Sequence, residues 1–319
     1  MPLLDLDKIT TGLSKTWSGY LRDWDRTLRS AGHPETTRYN YLLAAAQLAR
    51  YLSEHSPDPE SDEAAEDPCE VTRAHVEHFQ AWMIDTRSGA TALNKHKGLQ
   101  QFFRWLRDDE EDIDRSPMDR VKQPKTTRKL IPVIRDDDTR KVLGTCKGKT
   151  FVNLRDEALI RLYYNTGARL SEVGNLTLAD VDLDTESVRY RGKGDKDRRV
   201  RFGPKTARAL SRYLRARAKH KAADLPDLWL AERGIRRLAP NGVKIMLKRR
   251  GLAAGLTGVH AHRWRHNYAH EWKRAGGDTG DLMLLLGWAS EDMPRHYGAS
   301  AAAERAQETQ LRMGIGERV

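Results

Sequence analysis

Residues 178–202, LADVDLDTESVRYRGKGDKDRRVRF, decide how the chain is built. Val181, Leu183, Val188 and Tyr190, and then Val200 and Phe202, alternate with polar residues, the two-residue period of half-buried strands. Gly192-Lys193-Gly194-Asp195 supplies turn chemistry between two of those runs. The spacing predicts one short strand followed by a hairpin with Lys193 at its tip. On either side of this stretch the apolar residues recur at helical spacing. The expected class is therefore mostly α, with one small antiparallel sheet.

Upstream, Trp17, Leu21, Trp24 and Leu28 form one stripe, and Tyr41, Leu42, Ala45, Leu48, Ala49 and Leu52 form a second after Pro34. Residues 56–68, SPDPESDEAAEDP, interrupt the pattern as an exposed loop. Thr72 is placed to cap a third helix carrying Val76, Phe79, Trp82 and Met83. Ser88 to Leu106 supplies a fourth, with Leu99, Phe102, Phe103 and Leu106 on one face. These give a four-helix module over residues 1–111. Residues 112–130 read as a basic linker, 131–300 as the unit holding the sheet, and 301–319 as a tail. After Pro204 the sequence reads as helix almost to its end. About a dozen residues precede the first expected helix, so no separate domain is expected ahead of it.

The 319 residues carry a net charge of +11. Residues 1–111 hold 13 Lys and Arg against 19 Asp and Glu, and the remainder holds 43 against 26. A basic excess concentrated in one unit favours a polyanion, because each neutralised phosphate releases counterions; solvated Arg-rich helices would give the same count. No apolar run approaches the length of a membrane span, and no secretory signal is evident. Cys69 and Cys146 exclude a disulfide framework and suit a reducing cytoplasm.

Five segments of the basic part bear chemistry. In Thr166-Gly-Ala-Arg-Leu-Ser-Glu172 a glycine ends one helix and Arg169 falls in the first turn of the next. Arg169 either joins backbone N–H groups in an anion site or simply pairs with Glu172. The basic hairpin allows close approach of a partner backbone, or is a solvated turn. In Val259-His-Ala-His-Arg-Trp-Arg-His266, followed by His270, the spacing of His262, His266 and His270 invites zinc. Arg263 and Arg265 would repel a cation, and Arg beside His suits an oxyanion better. Leu284-Leu-Leu-Gly-Trp288 is an apolar helix ending at glycine, and Tyr297 follows in Pro294-Arg-His-Tyr-Gly298.

Taken in order, the TGxRxSE element with Arg169, the GKGxKxR hairpin with Lys193, the HxxRH box, the LLG-Trp element and the terminal Tyr297 resemble the tyrosine recombinases. This is the phage-integrase-like family of DNA-breaking enzymes, here in the simple two-domain form of the Xer-type recombinases. The five elements cover about residues 130–300, and the four-helix part is similar to the family's core-binding domain. His260 and Arg263 also satisfy His-x-x-Arg; the family box continues with a second His, so His266 favours His262 and Arg265. Gly174 and Asn175 stand where the family is usually more apolar, and Trp288 replaces the commoner His.

The resemblance implies catalytic roles for Arg169, Lys193, His262, Arg265, Trp288 and Tyr297, with Glu172 and His266 in support. Tyr297 is then the nucleophile, forming a 3′-phosphotyrosyl intermediate, and Lys193 the acid for the departing 5′-oxygen. Arg169, Arg265 and the Trp288 N–H stabilise the phosphate, while His262 assists the tyrosine. No metal or other cofactor is implied, and no GxxxxGK[ST] loop suggests ATP. The implied partner is double-stranded DNA with a core recombination site, held in a C-shaped clamp. Four protomers would assemble on two sites and pass through a Holliday junction, with possible accessory bending or directionality factors. Lys95, Lys97, Arg104, Arg107, Lys122, Lys125, Lys196 and Arg198 are the expected DNA contacts. The tail either docks on a neighbouring protomer or frays. Other readings are a non-catalytic DNA-binding regulator of integrase descent, a type IB topoisomerase-like activity and, last, a zinc hydrolase.

Overall fold

The computed structural model describes residues 4–55, 63–126, 134–192, 197–290, 294, 306–307, 309–314 and 317. The chain divides into two compact units, Met1–Lys129 and Leu130–Val319. No helix among the described residues is long and apolar enough to cross a membrane.

The first unit is built on the four expected helices, α2 (Lys15–Ser30), α3 (Glu35–His55), α4 (Arg73–Thr86) and α5 (Gly89–Asp108). Ser14, Thr72 and Ser88 each cap a helix by accepting a backbone N–H three residues on. The α2 stripe Trp17, Leu21, Trp24 and Leu28 is buried against α5, with the Phe102 ring 5.6 Å from that of Trp17 and 5.1 Å from that of Trp24. A short helix α1 (Leu6–Thr10), not expected from the sequence, precedes them and buries Ile9 in the same core. Five residues with one buried apolar side chain carry too little periodicity to be legible. The acidic 56–68 segment is described only from Glu63, where it makes single 3₁₀ turns at Glu63–Ala65 and Pro68–Glu70.

At Gly98, α5 runs so close to α3 that an added Cβ would lie 2.7 Å from the Ala44 Cβ. Gly98→Ala is therefore expected to destabilise this unit by about 1–3 kcal/mol through overpacking, read as a lower urea midpoint. An unchanged midpoint would mean that α3 and α5 part at no cost.

The segment read as a basic linker packs on the helical unit as far as its described residues run. Met118 and Val121 are buried in that core, and the Lys122 carbonyl accepts from Gln80 Nε2 at 2.9 Å. Two isolated apolar residues in a basic stretch give no periodic signal.

The second unit surrounds α7 (Phe151–Thr166), which buries Leu154, Ala158, Leu159, Ile160, Leu162 and Tyr163. A helix apolar on so many faces belongs at the centre of its unit. Around it lie α6 (Asp136–Gly144), α9 (Pro204–Arg217), α10 (Pro240–Ala253), α11 (Ala261–Arg274) and a sheet. The sheet has antiparallel order β1 (Val181–Asp182), β2 (Ser187–Tyr190), β3 (Arg198–Arg201), with Val188 paired to Val200 and Tyr190 to Arg198. This is the expected strand and hairpin; tip residues 193–196 lie outside the described residues.

A helix expected after α9 is interrupted. Residues 218–239 are turns and bridges rather than helix. Arg217, buried at the end of α9, donates to the carbonyls of Ala223, Leu225, Asp227 and Leu228, and so wraps the chain around its own guanidinium. Pro226 then excludes a helical continuation. In the tail, residues 309–313 are helical, with Leu311 and Met313 exposed.

Candidate active site

Two left-handed glycines place the site. Gly167 (φ +58°) ends α7, and Gly287 (φ +62°) ends α12 (Thr279–Leu286). A Cβ at Gly167 would meet the Tyr268 Cβ at 2.9 Å, and one at Gly287 would lie 3.1 Å from Arg198 Nη1. Both positions therefore favour glycine for its conformation, and Gly167 for its lack of volume as well.

The open carbonyls at the end of α12 are each taken by a different arginine. Arg198 Nε donates to Leu285 O at 2.7 Å, Arg265 Nη2 to Leu286 O at 2.6 Å, and Arg169 Nη2 to Gly287 O at 2.9 Å. A helix C-terminus carries partial negative charge, so cations are favourable there. Arg265 also donates from Nη1 to Gly167 O at 3.0 Å, which fixes its guanidinium between the ends of α7 and α12. Its guanidinium carbon lies 5.1 Å from the centre of the buried Trp288 ring, within cation–π range.

Arg169 is the N-cap of α8 (Leu170–Gly174), one position ahead of its expected place in the first turn. Its backbone N–H and Nη1 both donate to Glu172, each at 2.7 Å, while its side chain stays 43% exposed. Glu172 also receives Arg198 Nη1 and Nη2 at 3.0 and 2.8 Å. Burial pushes the Glu172 carboxyl up, but the hydrogen bonds from Arg198 and Arg169 outweigh it and hold the group below the ordinary carboxylate range.

Helix α11 carries the histidine box. Arg265 and His266 are buried, His262 is exposed, and the His262 and His266 rings meet edge to face at 4.8 Å. Of the two arginines in the box, Arg265 is the one that reaches the α12 end. Arg263 donates instead to Thr257 O at 3.1 Å. Among the described residues no group of three or more His, Cys, Asp or Glu is arranged to hold a metal ion.

Arg169, Glu172, Arg265 and Trp288 thus come together around one helix end. Lys193, Lys196 and Tyr297 lie outside the described residues. Of the expected DNA contacts, Lys97, Arg104, Lys122 and Lys125 are exposed. Lys95 is half-buried, and burial lowers its ammonium to about 8. Arg107 pairs with Asp108 at 2.7 Å and Asp119 at 3.5 Å. Arg198, expected to face DNA, is turned inward onto Glu172. The carbonyl acceptors left no trace in the sequence, since every residue carries one; the glycines ending α7 and α12 were the available signal.

The sequence profile of the phage integrase family matches residues 132–304, and that of the phage integrase N-terminal SAM-like domain matches residues 20–113. The chain belongs to the phage integrase family. It is 30% identical to the tyrosine recombinase XerC of Ralstonia pickettii (strain 12J), over 82% of this chain and 87% of the relative. In fold it is similar to the XerH site-specific recombinase bound to a palindromic difH substrate, with a TM-score of 0.72 at 18% identity over 98% of this chain and 94% of that one. A lambda integrase dimer bound to a COC′ core site gives a TM-score of 0.66 at 18% identity, over 91% of this chain and 79% of that one. The integrase-family chain is accordingly a site-specific tyrosine recombinase, and the arginine cluster lies within the segment matched by the phage integrase profile.

Proposed function

We propose that this recombinase cuts and rejoins duplex DNA at a core site through a 3′-phosphotyrosyl bond on Tyr297, using arginine charge in place of a metal ion. The observation that carries the reading is the pair Arg169 and Arg265, anchored to successive carbonyls of one helix end. Two fixed guanidiniums are suited to the two non-bridging oxygens of a phosphodiester, whose negative charge grows as the phosphorus is attacked.

In the first step the Tyr297 phenolic oxygen bonds to phosphorus and the bond to the 5′-oxygen breaks. His262 assists removal of the phenolic proton, whose reference pKa of about 10 opposes ionisation. Lys193 protonates the departing 5′-oxygen. Trp288 adds an indole N–H donor to the phosphate but has no proton to exchange. Attack by a 5′-hydroxyl on the phosphotyrosine reverses the step and reseals DNA, so the bond energy is conserved without ATP. Four protomers on two sites exchange strands in pairs through a Holliday junction, aided by accessory DNA-bending or directionality factors. The reaction serves integration, excision or dimer resolution. The two free cysteines, Cys69 and Cys146, suit a cytoplasmic enzyme.

The test uses purified protein, DNA fragments flanking its gene and nicked suicide substrates, all in EDTA, with covalent adducts sought after denaturation. Adducts support the reading. Shifted DNA without adducts on any substrate moves it to a non-catalytic binder. Lys193→Ala is expected to slow cleavage about 10²–10⁴-fold, the range for loss of a general acid. A 5′-bridging phosphorothiolate, whose sulfur leaves without a proton, should restore its rate. Normal cleavage by Lys193→Ala would remove Lys193 from that role.

A further inference from the structure

We infer that Arg198 is a positioning residue for DNA cleavage: by sharing Glu172 with Arg169 it keeps Arg169 effectively charged toward the phosphate, and it joins the hairpin base to the helix end that holds both catalytic arginines. This inference rests on the proposed role of Arg169.

Charge on the shared carboxylate is the first argument. Glu172 accepts four hydrogen bonds, two from each arginine, and its side chain is only 7% exposed. One carboxylate between two guanidiniums leaves one net positive charge. Without Arg198, Glu172 and Arg169 would form a neutral pair, and the attraction at the phosphate would fall.

Geometry is the second. Arg198 opens β3 directly opposite Tyr190, so the two close the last described pair before the hairpin tip. Its guanidinium carbon lies 5.1 Å from the centre of the buried Tyr190 ring, whose hydroxyl is 3.0 Å from Thr166 Oγ1. Thr166 precedes Gly167, whose carbonyl holds Arg265. All three guanidinium nitrogens of Arg198 donate inward, to Leu285 O and Glu172, and its side chain is 12% exposed. A side chain so engaged joins the strand pair that leads to Lys193, the Arg169–Glu172 pair and the end of α12. The glycine at position 287 leaves space for the Arg198 and Arg169 guanidiniums beside it.

The test compares Arg198→Ala, Arg198→Lys and the double variant Arg198→Ala/Glu172→Gln with wild type. Single-turnover cleavage of a nicked suicide substrate is measured beside DNA affinity over a range of salt. Arg198→Ala is expected to bind within about threefold of wild type with an unchanged salt slope, and to cleave about 10–100-fold more slowly. Removing the unmatched carboxylate in the double variant should recover part of that rate, which loss of packing alone would not allow. Arg198→Lys, keeping the charge without the fork, should fall between.

Affinity lost together with a salt slope smaller by about one would make Arg198 a phosphate contact and overturn the inference. So would wild-type cleavage by Arg198→Ala, or a double variant no faster than the single one. Should Arg198→Ala fail to fold, Arg198→Lys decides: slowed cleavage at unchanged affinity supports the inference, and unslowed cleavage overturns it. Absence of adducts with wild type is a different result, since it overturns the reaction itself and the inference with it.

Discussion

Replacing Tyr297 by Phe is expected to abolish covalent adducts with DNA while leaving affinity and thermal stability at wild-type values. The substitution removes one oxygen, and that oxygen is the atom proposed to bond to phosphorus. A phenol is a poor nucleophile at neutral pH because its reference pKa is about 10. In the proposed reaction it attacks because the phosphate is bound and its charge is met by fixed guanidiniums. Those guanidiniums are untouched by the change, so recognition of the site and binding of the phosphate persist without chemistry. The check is a pair of gels on one suicide substrate, native for binding and denaturing for adducts. Adducts that survive in Tyr297→Phe would assign the nucleophile to another side chain. Binding lost with the adducts would mean that the hydroxyl also holds DNA.

What the sequence disclosed depended on whether a feature repeats or is punctuated. The Trp17 to Leu28 stripe and the alternation of Val188, Tyr190, Val200 and Phe202 are periodic, and the helix and hairpin followed from them. The glycines ending α7 and α12 were visible as punctuation, though what their helix ends hold was not. Arg169 and Arg265 were found because their order along the chain resembles a family, whereas their meeting at Leu286 O and Gly287 O lies in backbone atoms common to all residues. Arg198 shows the same limit. A basic residue in a basic hairpin reads as a DNA contact, and only the nearness of a buried carboxylate from α8 turns it inward. The loop around Arg217 was equally hidden, because the carbonyls that bind its guanidinium come from the residues it displaces from helical form. Met118 and Val121 show the opposite case, in which two apolar residues too isolated to form a pattern still find the core.

Arg265→Ala should lower cleavage by about 10³-fold, the upper end for loss of one donor to developing oxyanion charge. It should also lower thermal stability. Arg265 is 1% exposed, and its removal opens a cavity and leaves Gly167 O and Leu286 O without this donor. Each unmet carbonyl costs about 1–3 kcal/mol, and each kcal/mol shifts the midpoint of a unit this size by about 2–4 °C. A loss of rate could therefore reflect unfolding alone, and Arg265→Lys separates the two causes. Lysine restores a charge and much of the volume, but a single ammonium cannot span the two carbonyls and still present a planar fork to phosphate. Stability should return further than rate, leaving cleavage about 10²-fold below wild type. If rate and midpoint recover together, Arg265 serves to hold α7 and α12 together and the phosphate role belongs elsewhere. Arg263→Ala is the paired control, since its guanidinium donates to Thr257 O. A loss of cleavage there as large as at Arg265 would move the histidine box to His260 and Arg263, and with it the side chain that assists Tyr297.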